Sequence, residues 1–257
     1  MTVRKNMALA KLRAGKAVIG PMLNYASPDI AEWAAHLGFD YVWLDWQHGE
    51  YTEVPLNNAI ARTRSGTATP LVRVKGNERG TINRVLDMGA MGVIVPMVEN
   101  AGEAREAVDA AFYPPRGRRS AGGVRLGMLA DGGEDYWYNA NPEIMLVVMV
   151  ESEAAIGRVR EIMAVPGIDV VLIGPGDLMI DVKARGGDAA RHETLVLEVA
   201  AASKATGVAA GYVCVTEAIA AKRIAQGFRF INYGLDHGIM MAGLKALKAE
   251  HEKLAWK

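Results

Sequence analysis

The chain has one cysteine, Cys214, in 257 residues. That excludes an internal disulfide framework and fits a reducing compartment. Net charge is absent too: 29 Lys and Arg balance 29 Asp and Glu. Without a basic excess there is no electrostatic case for a nucleic acid or an anionic membrane as partner. No stretch approaches the roughly 20 uninterrupted apolar residues that a membrane span requires. The opening MTVRKNMALAKLRAGKAVIG carries basic residues throughout and lacks a clean apolar segment before a small-residue cleavage site. It reads as a short amphipathic helix ended by Gly15. These absences lead to the expectation of a cytoplasmic, soluble protein.

What is present is apolar: 51% of residues, ample for a large core. Short β-branched or apolar runs fall at 17–23, 41–45, 70–74, 92–98, 144–151, 169–175, 208–214 and 228–234. Helix-like stretches lie between them, with Ser27, Ser152 and Thr216 as N-caps and glycine at several ends. Near-continuous apolar strands are what a parallel sheet buried on both faces requires. Eight of them alternating with helices predict one domain over 1–257, a (β/α)₈ TIM barrel with a preceding N-terminal helix. An open doubly wound sheet is the runner-up, but its glycine-rich fingerprint after the first strand is missing. The segment 113–141, rich in Gly, Pro and Arg, is the one long excursion between a strand and the next helix. The stretch 237–256 predicts a final helix whose apolar residues suit packing, including against another subunit.

Barrel enzymes place their chemistry at the C-terminal ends of the strands. Asp45, His48, Arg73, Glu151 and Asp177 all fall there. Glu151 follows the apolar LVVMV, where a carboxylate is costly without a partner. Asp177 closes IGPGD, in which Gly174 and Gly176 let backbone amides approach a ligand. Two carboxylates on adjacent strands suit a hard divalent cation such as Mg²⁺ or Mn²⁺. The bland alternative makes one a helix cap and the other an arginine partner. Asp45 is spaced to orient the His48 imidazole for base work, although a lone loop histidine is more often solvated or structural. Arg73, inside PLVRV, needs an anionic or carbonyl partner, which a substrate oxygen or an acidic side chain could supply. YPPRGRRS, with Arg116, Arg118 and Arg119, reads as a shaped turn. Trp43, Trp46 and Trp137 read as packing. Lys75 lacks the desolvating context that a Schiff-base lysine needs.

In chain order, LDWQHGEY, PLVRV, VLDMGAMGVIVPMVENAGEA, YPPRGRRSAGG, VMVESEAA and IGPGDL resemble the blocks of the metal-dependent (class II) pyruvate aldolases. That family includes 4-hydroxy-2-oxoheptanedioate aldolase and 2-keto-3-deoxy-sugar-acid aldolases. The resemblance implies a divalent cation on Glu151 and Asp177: Mg²⁺ or Mn²⁺ first, with Co²⁺ or Zn²⁺ as further options. It implies a 2-keto acid and an aldehyde as small-molecule partners, Arg73 on the enolate oxygen, and the Asp45–His48 pair acting with a metal-bound water as base. Substrate contacts would come from Arg73, Gly174, Gly176, Asp177 and the position of Met149. Asp87 would reach across a subunit interface in a hexamer with exchanged C-terminal helices.

Three positions depart from the family pattern. Gln47 stands where many members have Glu, Met149 where better-studied members have Gln, and Met22 where Trp is common. They bear on acceptor preference and base strength. The residues leave two rivals open. One is a related enolate-forming enzyme: a decarboxylase, a macrophomate-synthase-like C–C bond former or a CoA-thioester lyase. The other is a small-acid-binding protein without turnover.

Overall fold

The computed structural model describes residues 3–122, 126 and 133–254. Part of the 113–141 excursion therefore lies outside the described residues. The strands are β1 (Val18–Leu23), β2 (Tyr41–Asp45), β3 (Thr69–Arg73), β4 (Gly92–Val95), β5 (Met145–Val150), β6 (Val170–Ile173), β7 (Ala209–Cys214) and β8 (Phe230–Leu235). They pair in chain order and close β8 onto β1, with every ladder parallel. This is the expected (β/α)₈ barrel, with helices at both ends.

Two apolar layers explain why the strand sequences are nearly continuous in hydrophobicity. Side chains alternate across a strand. One set, including Trp43, Leu71, Met149, Leu172 and Phe230, fills the barrel interior. The other, including Leu44, Val72, Val148 and Ile173, packs under the surrounding helices. Tyr41 stacks on Phe230 with ring centroids 4.5 Å apart and donates its hydroxyl to the Ile231 carbonyl at 2.7 Å. Each such buried side chain stabilises the fold by about 1.5–3 kcal/mol relative to exposure.

The N-terminal helix Met7–Arg13 closes the bottom of the barrel, inserting Ala8, Leu9 and Leu12 into the interior cluster. Its cap residue Asn6 accepts from the Leu9 amide at 2.9 Å and donates to the Met91 carbonyl at 2.9 Å. Gly15 follows with φ 75°, the left-handed stop that a glycine adopts at no steric cost. Ser27, Ser152 and Thr216 cap their helices as the sequence predicts, accepting from the amides of Ile30, Ala155 and Ile219. No helix among the described residues is long and apolar enough to cross a membrane.

Candidate active site

Strand alternation carries the interior stripe upward into polar residues. On β2 the inward positions run Trp43 then Asp45, and on β3 Leu71 then Arg73. On β5 Met149 is followed two residues later by Glu151, and on β6 Leu172 by Gly174. Asp45 and Arg73 are direct register partners on neighbouring strands. The guanidinium grips the carboxylate through two bonds, Nε to Oδ1 at 2.8 Å and Nη2 to Oδ2 at 2.6 Å. Asp45 is fully buried and Arg73 is 7% exposed. Such a bidentate pair is among the stronger charge-assisted contacts. Arg73 also lies 5.1 Å above the Trp43 ring. Asn24 adds a bond from Nδ2 to Asp45 Oδ2 at 3.1 Å.

This pairing changes the expected role of Asp45. Its carboxylate accepts from the backbone amides of Gln47 at 3.1 Å and His48 at 3.4 Å, while the His48 imidazole is exposed and not its partner. The reason is competition: a buried guanidinium on the next strand takes both oxygens, leaving the remaining lone pairs for the turn. Asp45 therefore shapes the loop that carries His48 and does not hold the tautomer of its ring. Gln47 keeps a buried side-chain oxygen without a partner.

Across the mouth stands Glu151, 3% exposed, immediately after β5. Its Oε2 accepts from the Met97 amide at 2.8 Å. Its Oε1 lies against the Gly174 backbone, where a Cβ would force the Glu151 carboxylate to shift. Burial pushes its carboxyl above the ordinary range; the Met97 amide opposes this, the nearby charge of Asp177 adds to it, Arg73 opposes it, and Glu99 adds again. Asp177 sits in the first turn of the helix Pro175–Ala184, whose N-cap is Gly174 without a side-chain cap bond. Neither bland alternative holds: Asp177 does not cap its helix, and Glu151 has no arginine bonded to it. Gly176 has open space around it at the same helix start, beside amides that have no partner within the helix.

A buried carboxylate with one free oxygen, facing a second carboxylate, suits a divalent cation that neutralises both. Among the described residues no group of three or more His, Cys, Asp or Glu side chains converges for metal binding. A cation on Glu151 and Asp177 would draw its other ligands from water and substrate, the open arrangement that hard cations tolerate.

The remaining expected positions fall elsewhere. Met149 is 1% exposed in the interior cluster, so it forms the floor beneath Glu151 and not an open contact surface. Met22 is buried in the same cluster. Asp87 ends the helix Arg79–Asp87, which runs back towards the N-terminal end of the barrel, away from Glu151. There it accepts from Arg119 Nη2 at 2.8 Å. The arginine turn is structural: Arg116 stacks on Phe112, Arg118 pairs with Asp109 and Arg119 with Asp87. Trp43 and Trp46 are buried, and Trp137 packs on a small aromatic cluster. Sequence reading missed Met97 and Asn24. Nothing in a methionine's identity signals an amide aimed at a carboxylate, and Asn24 is marked only by its place one residue past β1.

The chain is similar to known proteins over most of its length. A family model described as HpcH/HpaI aldolase/citrate lyase matches residues 19–242. The chain is 37% identical over 238 residues to a 4-hydroxy-2-oxovalerate aldolase of Novosphingobium aromaticivorans, covering 90% of this chain and 88% of that one. It is 33% identical over 255 residues to a 4-hydroxy-2-oxo-heptane-1,7-dioate aldolase of Salmonella dublin, covering 95% and 94%. Among solved structures, a HpcH/HpaI aldolase/citrate lyase family protein from Burkholderia cenocepacia superposes with a TM-score of 0.88 at 28% identity, covering 96% of this chain and all of that one. Macrophomate synthase superposes with a TM-score of 0.84 at 25% identity, covering 98% and 91%.

Proposed function

The chain belongs to the HpcH/HpaI aldolase/citrate lyase family and is a carbon–carbon lyase, and from that premise we propose that it cleaves 4-hydroxy-2-keto acids reversibly to pyruvate, or a related 2-keto acid, and an aldehyde. The observation that carries this reading is the opposition of two inner walls: Asp45 with Arg73 on one side, Glu151 with Asp177 on the other. A divalent cation held by Glu151 and Asp177, Mg²⁺ or Mn²⁺ by the hardness of its ligands, would polarise the carboxylate and 2-oxo oxygens of the substrate when bound.

The protein's own groups supply the rest. Nη1 of Arg73 is not engaged by Asp45, so it remains to donate to the 2-oxo oxygen as that atom gains charge. Placing fixed donors where charge develops is the largest common source of rate acceleration. The free amides at Gly176 and Asp177 orient the substrate carboxylate at a helix N-terminus. His48, exposed at the rim, takes the 4-hydroxyl proton. The C3–C4 bond then breaks, its electron pair staying on the C2–C3 fragment as an enolate while the aldehyde departs, and return of one proton to C3 gives pyruvate. Met22 and Met149, in place of larger or polar family residues, make the floor apolar. That favours acceptors without a polar group at that depth.

The expected assembly draws its support from the final helix, Asp236–Lys253, which exposes Ile239, Met240, Met241, Leu244 and Leu247. With Trp33, Leu37 and Phe39 it lines an apolar groove of about 490 Å³. Contiguous exposed apolar side chains rimmed by polar ones suit an interface. A second copy of the chain, exchanging this helix, is its occupant in our reading, with a hexamer as the expected state and Asp87 facing the neighbouring site. Light scattering on the purified protein tests it; a monomer in dilute solution would refute it.

The direct test of the activity is exchange of the pyruvate methyl protons in D₂O, followed by NMR. It requires no knowledge of the acceptor aldehyde. Exchange should proceed with Mn²⁺ or Mg²⁺, stop with excess chelator, and be absent in Glu151→Ala. Full exchange in chelator would overturn the cation assignment, and no exchange from folded, cation-loaded protein would overturn pyruvate as donor.

A further inference from the structure

Met97 is the one non-glycine residue with positive φ among the described residues, at 55°. It lies two residues beyond β4 on the C-terminal rim, between buried Pro96 and buried Val98. Unbranched residues enter this left-handed region rarely, and β-branched ones are outliers there. Such strain persists only where the surroundings over-determine it, and it clusters at functional sites.

The surroundings here are specific. Val98 donates its amide to the Met149 carbonyl at 2.9 Å and buries its side chain in the outer core, which fixes the chain beyond Met97. The left-handed turn then leaves the Met97 amide aimed inward at Glu151 Oε2, 2.8 Å away. The Met97 side chain, 54% exposed, makes no demand of its own on this conformation. On the opposite side the absent Cβ of Gly174 leaves the space that Glu151 Oε1 occupies.

We infer that Met97 is a positioning residue: its left-handed backbone clamps Glu151 through the amide, so that one oxygen is held and the other stays free for the cation. This rests on the reading of Glu151 as a cation ligand. Partners that orient metal ligands are worth about 10- to 100-fold in metal affinity. The side chain at 97 then matters only through the φ it permits.

The test is Mn²⁺ affinity by calorimetry on the full-length protein, with folding checked by circular dichroism. Met97→Gly, which adopts positive φ freely, should bind within about twofold of the native protein. Met97→Ile, which resists it, should bind about 10- to 100-fold more weakly. Equal affinity of Met97→Ile and native protein would overturn the inference. So would a Met97→Gly loss as large as that of Met97→Ile, because the side chain would then be the cause. Should Met97→Ile not fold, the native protein decides through ¹⁵N-methionine labelling. The Met97 amide resonance, identified by its loss in Met97→Leu, should shift on adding Mg²⁺, and an unmoved resonance would overturn the clamp. No Mn²⁺ binding by native protein would overturn the cation reading along with it, whereas native binding unaffected by Met97→Ile would overturn the clamp alone.

Discussion

Asp45 and Glu151 occupy comparable places, each an inward-facing acid at the top of a barrel strand and each almost completely buried. Their electrostatics differ. Asp45 faces a guanidinium that bonds both of its oxygens. Glu151 faces a second carboxylate, Asp177, and its carboxyl is pushed up by burial and by that neighbour. Burying a charge is tolerable when it is paired and costly when it is not. One wall of the mouth is complete within the chain, and the other is where the proposed function places a divalent cation. That asymmetry puts a permanent positive group opposite the place where a substrate chelated by a cation would lie.

The comparison can be broken most severely at Glu151. Glu151→Gln keeps the shape and removes the charge; Mn²⁺ binding should disappear and pyruvate exchange should fall below detection. On the complete wall, Arg73→Ala should cost about 3–5 kcal/mol of stability, because it strands a buried carboxylate. Urea denaturation would measure this. Arg73→Lys restores the charge without the two-pronged grip, so it should recover stability better than kcat. A next, smaller effect is expected from His48→Ala, which removes an exposed group that neither wall packs against. Its kcat should fall about 10²–10⁴-fold with a melting temperature close to native. Gly174→Ala, by pressing a Cβ into Glu151 Oε1, should weaken Mn²⁺ binding while leaving the Asp45–Arg73 wall intact.

The smallest effect sharpens the contrast with a pair remote from the mouth. Glu193 is held down at about 2, first by hydrogen bonding from Arg223 and then by Lys222 and Gln226 against the opposing cost of burial. Its folded value lies below the ordinary 4.5, so its stabilisation is present above that value and lost as pH falls from about 4.5 through about 2. Glu193→Gln should flatten this acid limb of an equilibrium unfolding curve and leave pyruvate exchange untouched.

Several parts of this arrangement were legible from the residues in order. Strand positions, the N-caps at Ser27, Ser152 and Thr216, and the glycine stop at Gly15 are local matters of propensity and backbone freedom. Glu151 and Asp177 stood out because acids at the ends of apolar runs demand an explanation. The role of Asp45 was misread for a physical reason. Sequence proximity paired it with His48, three residues away, but strand register pairs it with Arg73, 28 residues away. Met97 and Asn24 gave no sign, since their contribution is a backbone amide in one case and a reach across strands in the other.

The sequence alone determined the two periodicities, and hence eight buried parallel strands with helices between them, because alternation and capping depend on neighbours within a few residues. It also determined which residue types stand at the strand ends. Only the tertiary structure decided which of those residues meet. Barrel closure sets the register that joins Asp45 to Arg73, brings the Met97 amide onto one oxygen of Glu151, and sets the absent Cβ of Gly174 where it leaves room for the other. These are contacts between segments far apart in the chain, and their geometry exists only once the ring of strands has closed.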